Sequence, residues 1–122
     1  MSKYDELLTA MGTHSLAQFP NEACGIITKD LGYVPCRNIS STPRTSFIID
    51  PLAILKHEND ILGFFHSHPG ASDPIPSTKD LPSTAFYEYL FVVGFGTNFY
   101  KYWHEDNRIK FEKLNENHFN IL

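Results

Sequence analysis

The chain of 122 residues is 42% hydrophobic and 14% aromatic and carries a formal net charge of −4. This length and composition suit one domain with a packed core and argue against disorder. The ten Lys and Arg residues are scattered, which excludes a typical nucleic-acid-binding surface. No apolar run approaches the roughly 20 residues of a membrane span, and the polar N-terminus lacks signal-peptide architecture, so we expect a cytosolic protein.

The first half of the chain predicts one helix followed by three strands. Residues 2–16 form an amphipathic helical pattern, and Ser2 with Asp5 fits a capping box at its start. Pro20 then breaks the helix. Apolar runs bounded by turn-forming residues predict strands at Ala23–Thr28, Tyr33–Ile39 and Thr45–Ile49.

The second half predicts a short helix and four further strands. Asp50 and Pro51 are typical of a helix start, and Leu52, Ile54 and Leu55 supply the apolar side of this helix. The strands are predicted at Ile61–His66, Tyr89–Phe95, Asn98–Trp103 and Arg108–Leu114. The predicted fold class is therefore α/β, with a mixed β-sheet flanked by helices in a single domain over residues 1–122.

The most informative segment is His66-Ser67-His68-Pro69. Two histidines at positions i and i+2 near a strand end project to the same face, so both imidazoles can bind one metal ion. A catalytic zinc site needs three protein ligands and an open position, and Asp80, twelve residues after His68, is the natural third ligand. Glu22, just before a predicted strand, is the candidate general base.

Each of these residues has a simpler explanation when it is considered alone. A His-x-His pair is often only an exposed polar segment, and Asp80 could merely cap the helical turn that Ser77 begins. Glu22 could be a solvated loop carboxylate. The enzyme classes that compete with a zinc hydrolase lack their own motifs. The chain has no Gly-x-Ser-x-Gly element and no deaminase Pro-Cys-x-x-Cys element, and its two cysteines, Cys24 and Cys36, match no zinc or disulfide spacing.

Taken together, these positions carry a family resemblance. The segment from His66 to Asp80, with Ser77 between them, resembles the JAMM (MPN+) signature H-S/T-H-P-x7-S-x2-D at every defined position, and Glu22 matches the upstream glutamate of that family. The resemblance extends from about Leu7 to Trp103 and implies a JAMM/MPN fold, which is cytidine-deaminase-like. Within the family the chain is most similar to the JAMM domain of phage tail assembly proteins of the lambda K type. Bacterial JAMM peptidases that process sulfur-carrier or ubiquitin-like proteins share part of the same segments.

The resemblance implies a zinc metallopeptidase that hydrolyses a peptide or isopeptide bond during phage tail assembly or maturation. It implies one Zn²⁺ per chain, bound by His66, His68 and Asp80, with Glu22 as the catalytic acid/base. Ser77 is implied to donate a hydrogen bond to the water or to the developing oxyanion, whereas Ser67 is expected to be structural. The expected partners are a protein or peptide substrate and phage tail proteins, and the expected location is the host cytoplasm or the virion tail.

A second hypothesis remains open. Lambda-type K proteins continue into an NlpC/P60 peptidase domain, for which 122 residues leave no room. The chain could therefore be a structural tail-tip or assembly protein that uses the JAMM fold as a binding module, with zinc structural or vestigial.

Overall fold

The computed structural model describes residues 2–80, 88–114 and 121. Two helices and six strands lie within these ranges. In chain order they are α1 (Lys3–Gln18), β1 (Cys24–Thr28), β2 (Tyr33–Cys36), α2 (Pro51–Lys56), β3 (Ile61–Ser67), β4 (Leu90–Phe95), β5 (Asn98–Glu105) and β6 (Arg108–Lys113). The predicted α/β class with a mixed sheet and flanking helices is confirmed.

The helix α1 begins as the sequence predicts. Ser2 is its N-cap: the Ser2 side chain accepts a hydrogen bond from the Asp5 N–H at 3.1 Å, and Asp5 Oδ2 accepts one from the Ser2 N–H at 3.4 Å. The helix runs to Gln18, two residues beyond the predicted end. Tyr4, Leu7 and Met11 are fully buried against the sheet, and burying each such side chain contributes roughly 1.5–3 kcal/mol to folding.

The six strands form one sheet in the order β2-β1-β3-β4-β5-β6. The pair β3–β4 is parallel, and the other neighbouring pairs are antiparallel. One face of β3 presents Phe65 to the core beneath α1, while His66 lies on the opposite face. Because β1 and β3 are antiparallel neighbours, with Cys24 opposite His66, the start of β1 lies beside the end of β3.

The predicted strand at Thr45–Ile49 is wrong, and the strand predicted at Tyr33–Ile39 ends early, at Cys36. Beyond Cys36 the two segments share a single isolated bridge, between Asn38 and Ile49. The Asn38 side chain donates to the Ser46 carbonyl at 3.0 Å and accepts from the Ile48 N–H at 3.1 Å. Backbone bonds from the Ile39 N–H to the Ile48 carbonyl and from the Asp50 N–H to the Arg37 carbonyl also join the two segments. A side chain and a few backbone bonds therefore replace a regular strand ladder, which a hydrophobic pattern does not reveal.

The helix α2 starts where predicted, but its apolar side does not face the core. Asp50 Oδ1 accepts a hydrogen bond from the Leu52 N–H at 3.0 Å, and Pro51 is the first helical residue. Leu52 and Leu55 are 72% and 61% exposed, and no residue of the helix is buried. A helix of six residues is less than two turns long and offers too small a face to pack on the sheet.

The remaining strands agree with the prediction to within two residues at each end. Cys24 and Cys36 are free thiols, and Cys24 is buried. In the part of the chain that the structure describes, no helix is both long enough and apolar enough to span a membrane.

Candidate metal centre

The two histidines of the motif lie at the end of β3. His66 is the last but one residue of the strand and is 2% exposed, and His68 follows the strand with a side chain that is 23% exposed. Their ring centroids are 5.1 Å apart. The His68 N–H donates to the Gly94 carbonyl of β4 at 3.1 Å, so the backbone stays aligned with the sheet past the strand end. The two imidazoles therefore lie on one face, as their spacing predicts.

Asp80 reaches both histidines from the turn that follows the long loop. Asp80 Oδ1 lies 3.0 Å from His66 Nε2, and Asp80 Oδ2 lies 3.5 Å from His68 Nε2. The same carboxylate accepts a hydrogen bond from the Ser77 N–H at 2.8 Å. The capping role and the ligand role that the sequence offered as alternatives are therefore compatible, because the cap fixes the carboxylate toward the histidines.

The geometry of these three residues fits a metal ion. One ligand atom from each of His66, His68 and Asp80 lies within 4.8 Å of the others. Zinc–nitrogen and zinc–oxygen bonds are about 2.0–2.1 Å long, so the ligand atoms of one site lie close together. Asp80 faces the two imidazoles with different oxygens, Oδ1 at 3.0 Å from His66 Nε2 and Oδ2 at 3.5 Å from His68 Nε2. His66 Nε2 is also buried without a well-aligned hydrogen bond to any described atom, which a metal bond would satisfy.

The protonation states of the candidate ligands suit metal binding. Burial lowers the pKa of His66, while the nearby Asp80 acts in the opposite direction, so the ring is neutral at neutral pH. Burial acts to raise the pKa of Asp80, but its contacts with His66 and His68 outweigh burial and hold that pKa well below the usual range. The site therefore presents a neutral His66 imidazole and an ionised Asp80 carboxylate, the forms that bind divalent ions.

Two aromatic side chains hold the buried imidazole. The ring of Phe47 stacks on His66 with centroids 4.5 Å apart and planes inclined by 16°. Tyr102 of β5 meets His66 edge-on, with centroids 6.1 Å apart. Phe47 was not anticipated as a site residue, because its segment reads as a strand and the contact spans 19 positions of sequence. Nothing in the local pattern signals this contact.

Glu22 lies two residues before the start of β1 and lines the same cavity as His68 and Asp80. Its backbone is fixed on both sides: the N–H donates to the Pro43 carbonyl at 2.7 Å, and the carbonyl accepts from Asn38 Nδ2 at 3.0 Å. Glu22 is 7% exposed. Burial raises the pKa of Glu22 to about 7, although the charges of His68 and Lys79 oppose the increase. A carboxyl with a pKa near neutrality can both accept and return a proton.

A buried serine aligns Glu22 with the ligands. The Ala23 N–H donates to Ser67 Oγ at 2.7 Å, and the Ser67 N–H donates to the Ala23 carbonyl at 2.9 Å. Ser67 is fully buried. These bonds join the start of β1 to the end of β3, in line with the structural role expected for Ser67.

The cavity that Glu22, His68 and Asp80 line has a volume of about 330 Å³. Ser77 lies on its wall, is exposed, and is therefore close to the candidate ligands as predicted from the motif. The other wall residues were not predicted: Arg44, Thr45, Ser46, Phe47, Pro69 and Lys79. Most of them come from the loop between β2 and α2, whose path a sequence pattern does not define.

An apolar groove of about 500 Å³ lies beside the cavity. Phe47 contributes to both, and His66 forms part of the wall of the groove. The other lining residues are apolar or aromatic: Ile48, Ile49, Ile54, Phe64, Tyr89, Phe91 and Tyr102. Phe47 therefore lies between the cavity that Glu22 lines and the groove that His66 lines.

A comparison with known protein families identifies the class to which this fold and site belong. The family model for prokaryotic homologs of the JAB domain matches residues 5–105. Because this match covers most of the chain, the chain belongs to that family, and the resemblance to JAMM/MPN domains is confirmed.

Two curated relatives and one solved structure are similar to the chain. Desampylase from Haloferax volcanii is 28% identical, and the alignment covers 73% of this chain and 73% of that protein. Tail tip assembly protein K from Escherichia phage N15 is 32% identical over an alignment that covers 60% of this chain but only 32% of the phage protein. A solution structure of a protein from Desulfitobacterium hafniense has a TM-score of 0.64 at 20% identity, covering 88% of this chain and 86% of that one. This last similarity concerns the fold alone.

Proposed function

We propose that this chain is a zinc-dependent peptidase or isopeptidase of the JAMM type. One observation carries the proposal: three metal-ligating atoms converge within 4.8 Å, and a buried carboxyl whose pKa is about 7 shares an open cavity with two of these ligands, His68 and Asp80. The similarity to a desampylase supports a hydrolytic role. Zinc suits the donor set, because two imidazoles and one carboxylate leave a fourth position open for water or substrate.

In the proposed mechanism, His66, His68 and Asp80 hold the metal, and Asp80 offsets part of its charge. Bound zinc supplies Lewis acidity, which lowers the pKa of water and polarises a carbonyl. Ionised Glu22 accepts a proton on its carboxylate from the attacking water as the C–O bond forms. The same carboxyl then donates that proton to the nitrogen of the leaving amine as the C–N bond breaks. Ser77 donates a hydrogen bond to the developing oxyanion.

The experiment that tests this function separates hydrolysis from metal binding. Zinc-loaded wild-type protein and its Glu22→Gln variant are incubated with linear fusions and isopeptide conjugates of a ubiquitin-like protein and with phage tail proteins, and products are identified by mass spectrometry. We expect cleavage by the wild type and a loss of at least about 100-fold in Glu22→Gln, because a general acid–base group contributes that much. Glu58→Gln is the matched control, because Glu58 is exposed and distant in sequence from Glu22. Equal cleavage by wild type and Glu22→Gln would contradict the mechanism.

A second candidate function is a structural module of a phage tail, and the similarity to Tail tip assembly protein K of phage N15 favours it. In this version the single domain acts among tail proteins, in the host cytoplasm during assembly or in the virion tail. Hydrolysis distinguishes the two functions. If the Glu22→Gln variant supports assembly of infectious tails as well as the wild type does, the structural role is sufficient.

A further inference from the structure

Two cationic side chains lie on the wall of the metal cavity, although the protein as a whole has a net charge of −4. Arg44 comes from the loop between β2 and α2, and Lys79 comes from the turn that precedes Asp80. Both are exposed, and neither forms an ion pair with any residue that the structure describes. The chain therefore presents two exposed cations at its candidate site, and the charge of Lys79 also acts on the carboxyl of Glu22.

A hydrogen bond joins the two segments that carry the cations. Lys79 Nζ donates to the backbone carbonyl of Thr45, the residue that follows Arg44. This bond spans 34 positions of sequence, and all three residues line the cavity. Arg44 and Lys79 therefore lie on two joined segments, which form a cationic rim of the cavity.

The charges inside the cavity do not neutralise this rim when the proposed metal is bound. The two positive charges of Zn²⁺ are balanced by the carboxylates of Asp80 and Glu22, which leaves Arg44 and Lys79 as the excess. Arg binds a carboxylate through two parallel N–H donors, and Lys adds a point charge with freely placed donors. This combination recognises an acidic group on a molecule that enters the cavity.

We infer that Arg44 and Lys79 form a specificity site for an acidic side chain of the substrate, close to the bond that is cut. This inference rests on the proposed peptidase function and deepens it. The substrate class is then a peptide segment that carries Asp or Glu beside its scissile bond. The carboxylate contacts Arg44 and Lys79, and the backbone next to it is guided toward Glu22 and the metal ligands.

Binding, rather than cleavage, tests this inference. The zinc-loaded Glu22→Gln protein, labelled with ¹⁵N, is titrated at low salt with a flexible decapeptide that contains two Asp residues and with its Asn counterpart. We expect the Asp peptide to bind about five-fold more tightly, since this factor corresponds to about 1 kcal/mol, the upper value for one exposed charge pair. The amide signals of residues 44–47 and 77–79 are expected to shift, and the preference should disappear at about 0.5 M salt.

Arg44→Gln and Lys79→Gln are each expected to remove most of the preference, and the double variant should bind both peptides equally. Arg108→Gln and Lys110→Gln, two exposed changes on β6, are the matched controls and should retain the preference. Equal affinity for the two peptides, binding of neither at millimolar concentration, or signal shifts confined to another surface would each overturn the inference. If the Asp preference is present and depends on both cations while the wild type cleaves nothing, the specificity site stands and the proposed peptidase function fails.

Discussion

At the scale of single residues, burial next to charge sets the chemistry of this site. Glu22 is 7% exposed and lies beside groups of both signs, so its carboxyl is the one whose proton exchanges near neutral pH. Asp80 is equally buried, yet its contacts with two imidazoles keep it ionised. Two carboxylates in one cavity thus acquire different roles, because opposing environments push their pKa values apart.

This difference predicts a pH dependence of stability in the metal-free protein. The pKa of Glu22 is raised from 4.5 to about 7, so the folded state favours the protonated carboxyl. Its contribution to stability is therefore fully present below pH 4.5 and is lost as the pH rises through 7. Relative to Glu22→Gln, the wild type should lose up to about 3 kcal/mol of unfolding free energy between pH 4.5 and pH 8.

Urea denaturation of both metal-free proteins across this pH range measures the difference. All titratable groups other than residue 22 are the same in both proteins. The exposed variant Glu58→Gln should follow the wild type throughout. A constant difference between wild type and Glu22→Gln at all pH values would show that the pKa of Glu22 is not raised by folding.

Phe47 is predicted to position a metal ligand. Its ring stacks on His66 at 4.5 Å, so Phe47→Leu would keep an apolar side chain but remove the flat surface that restrains the imidazole. We expect zinc affinity to fall about ten-fold, the lower end of the effect of residues that orient metal ligands. Competition with a fluorescent zinc chelator measures the affinity, and Phe111→Leu on β6 is the control. An unchanged affinity in Phe47→Leu would mean that the sheet alone orients His66.

At the scale of secondary structure, the junction of β1 and β3 assembles the site. The antiparallel pairing brings the first residue of β1 opposite His66, and the two bonds between Ala23 and Ser67 close this junction. The two candidate histidine ligands come from the end of β3, and the proposed acid–base residue lies just before the start of the neighbouring β1. The register between two strands therefore sets the position of Glu22 relative to the candidate metal.

Ser67→Ala tests this junction. The change leaves the buried Ala23 N–H without its acceptor, so we expect a loss of about 1–3 kcal/mol in unfolding free energy. Ser41→Ala, in an exposed loop, should change stability by less than about 0.5 kcal/mol. Chemical denaturation of the three proteins gives the comparison. A Ser67→Ala protein as stable as the wild type would show that the hydroxyl does not hold the two strands together.

At the scale of the whole molecule, the sequence predicts what depends on local spacing and misses what depends on the path of long loops. The capping boxes, the central strand and the i, i+2 pair of histidines are local, and the structure reproduces them. The Thr45–Ile49 prediction fails because the side chain of Asn38, distant in sequence, binds the backbone of that segment. The sequence also does not predict that Arg44 and Phe47 line the cavity, because their positions depend on how the loop between β2 and α2 folds.

The apolar residues of α2 illustrate a second limit. Their pattern indicates a face, but it does not tell which surface that face meets, and Leu52 and Leu55 remain exposed. A pattern of six residues carries too little periodicity to distinguish a core helix from a short connecting helix. In contrast, the metal-ligand motif is informative because it combines residue type and spacing at six positions.

The measurement that tests the central claim most directly is the zinc content of the purified protein, determined by elemental analysis after incubation with zinc and dialysis. We predict about one zinc ion per chain in the wild type and in Glu22→Gln, and none in His68→Ala, because the site needs all three ligands. His104→Ala, an exposed histidine on β5, is the matched control and should retain the metal. Absence of zinc from the wild type, or equal zinc in His68→Ala, would contradict the assignment of this site as a metal centre.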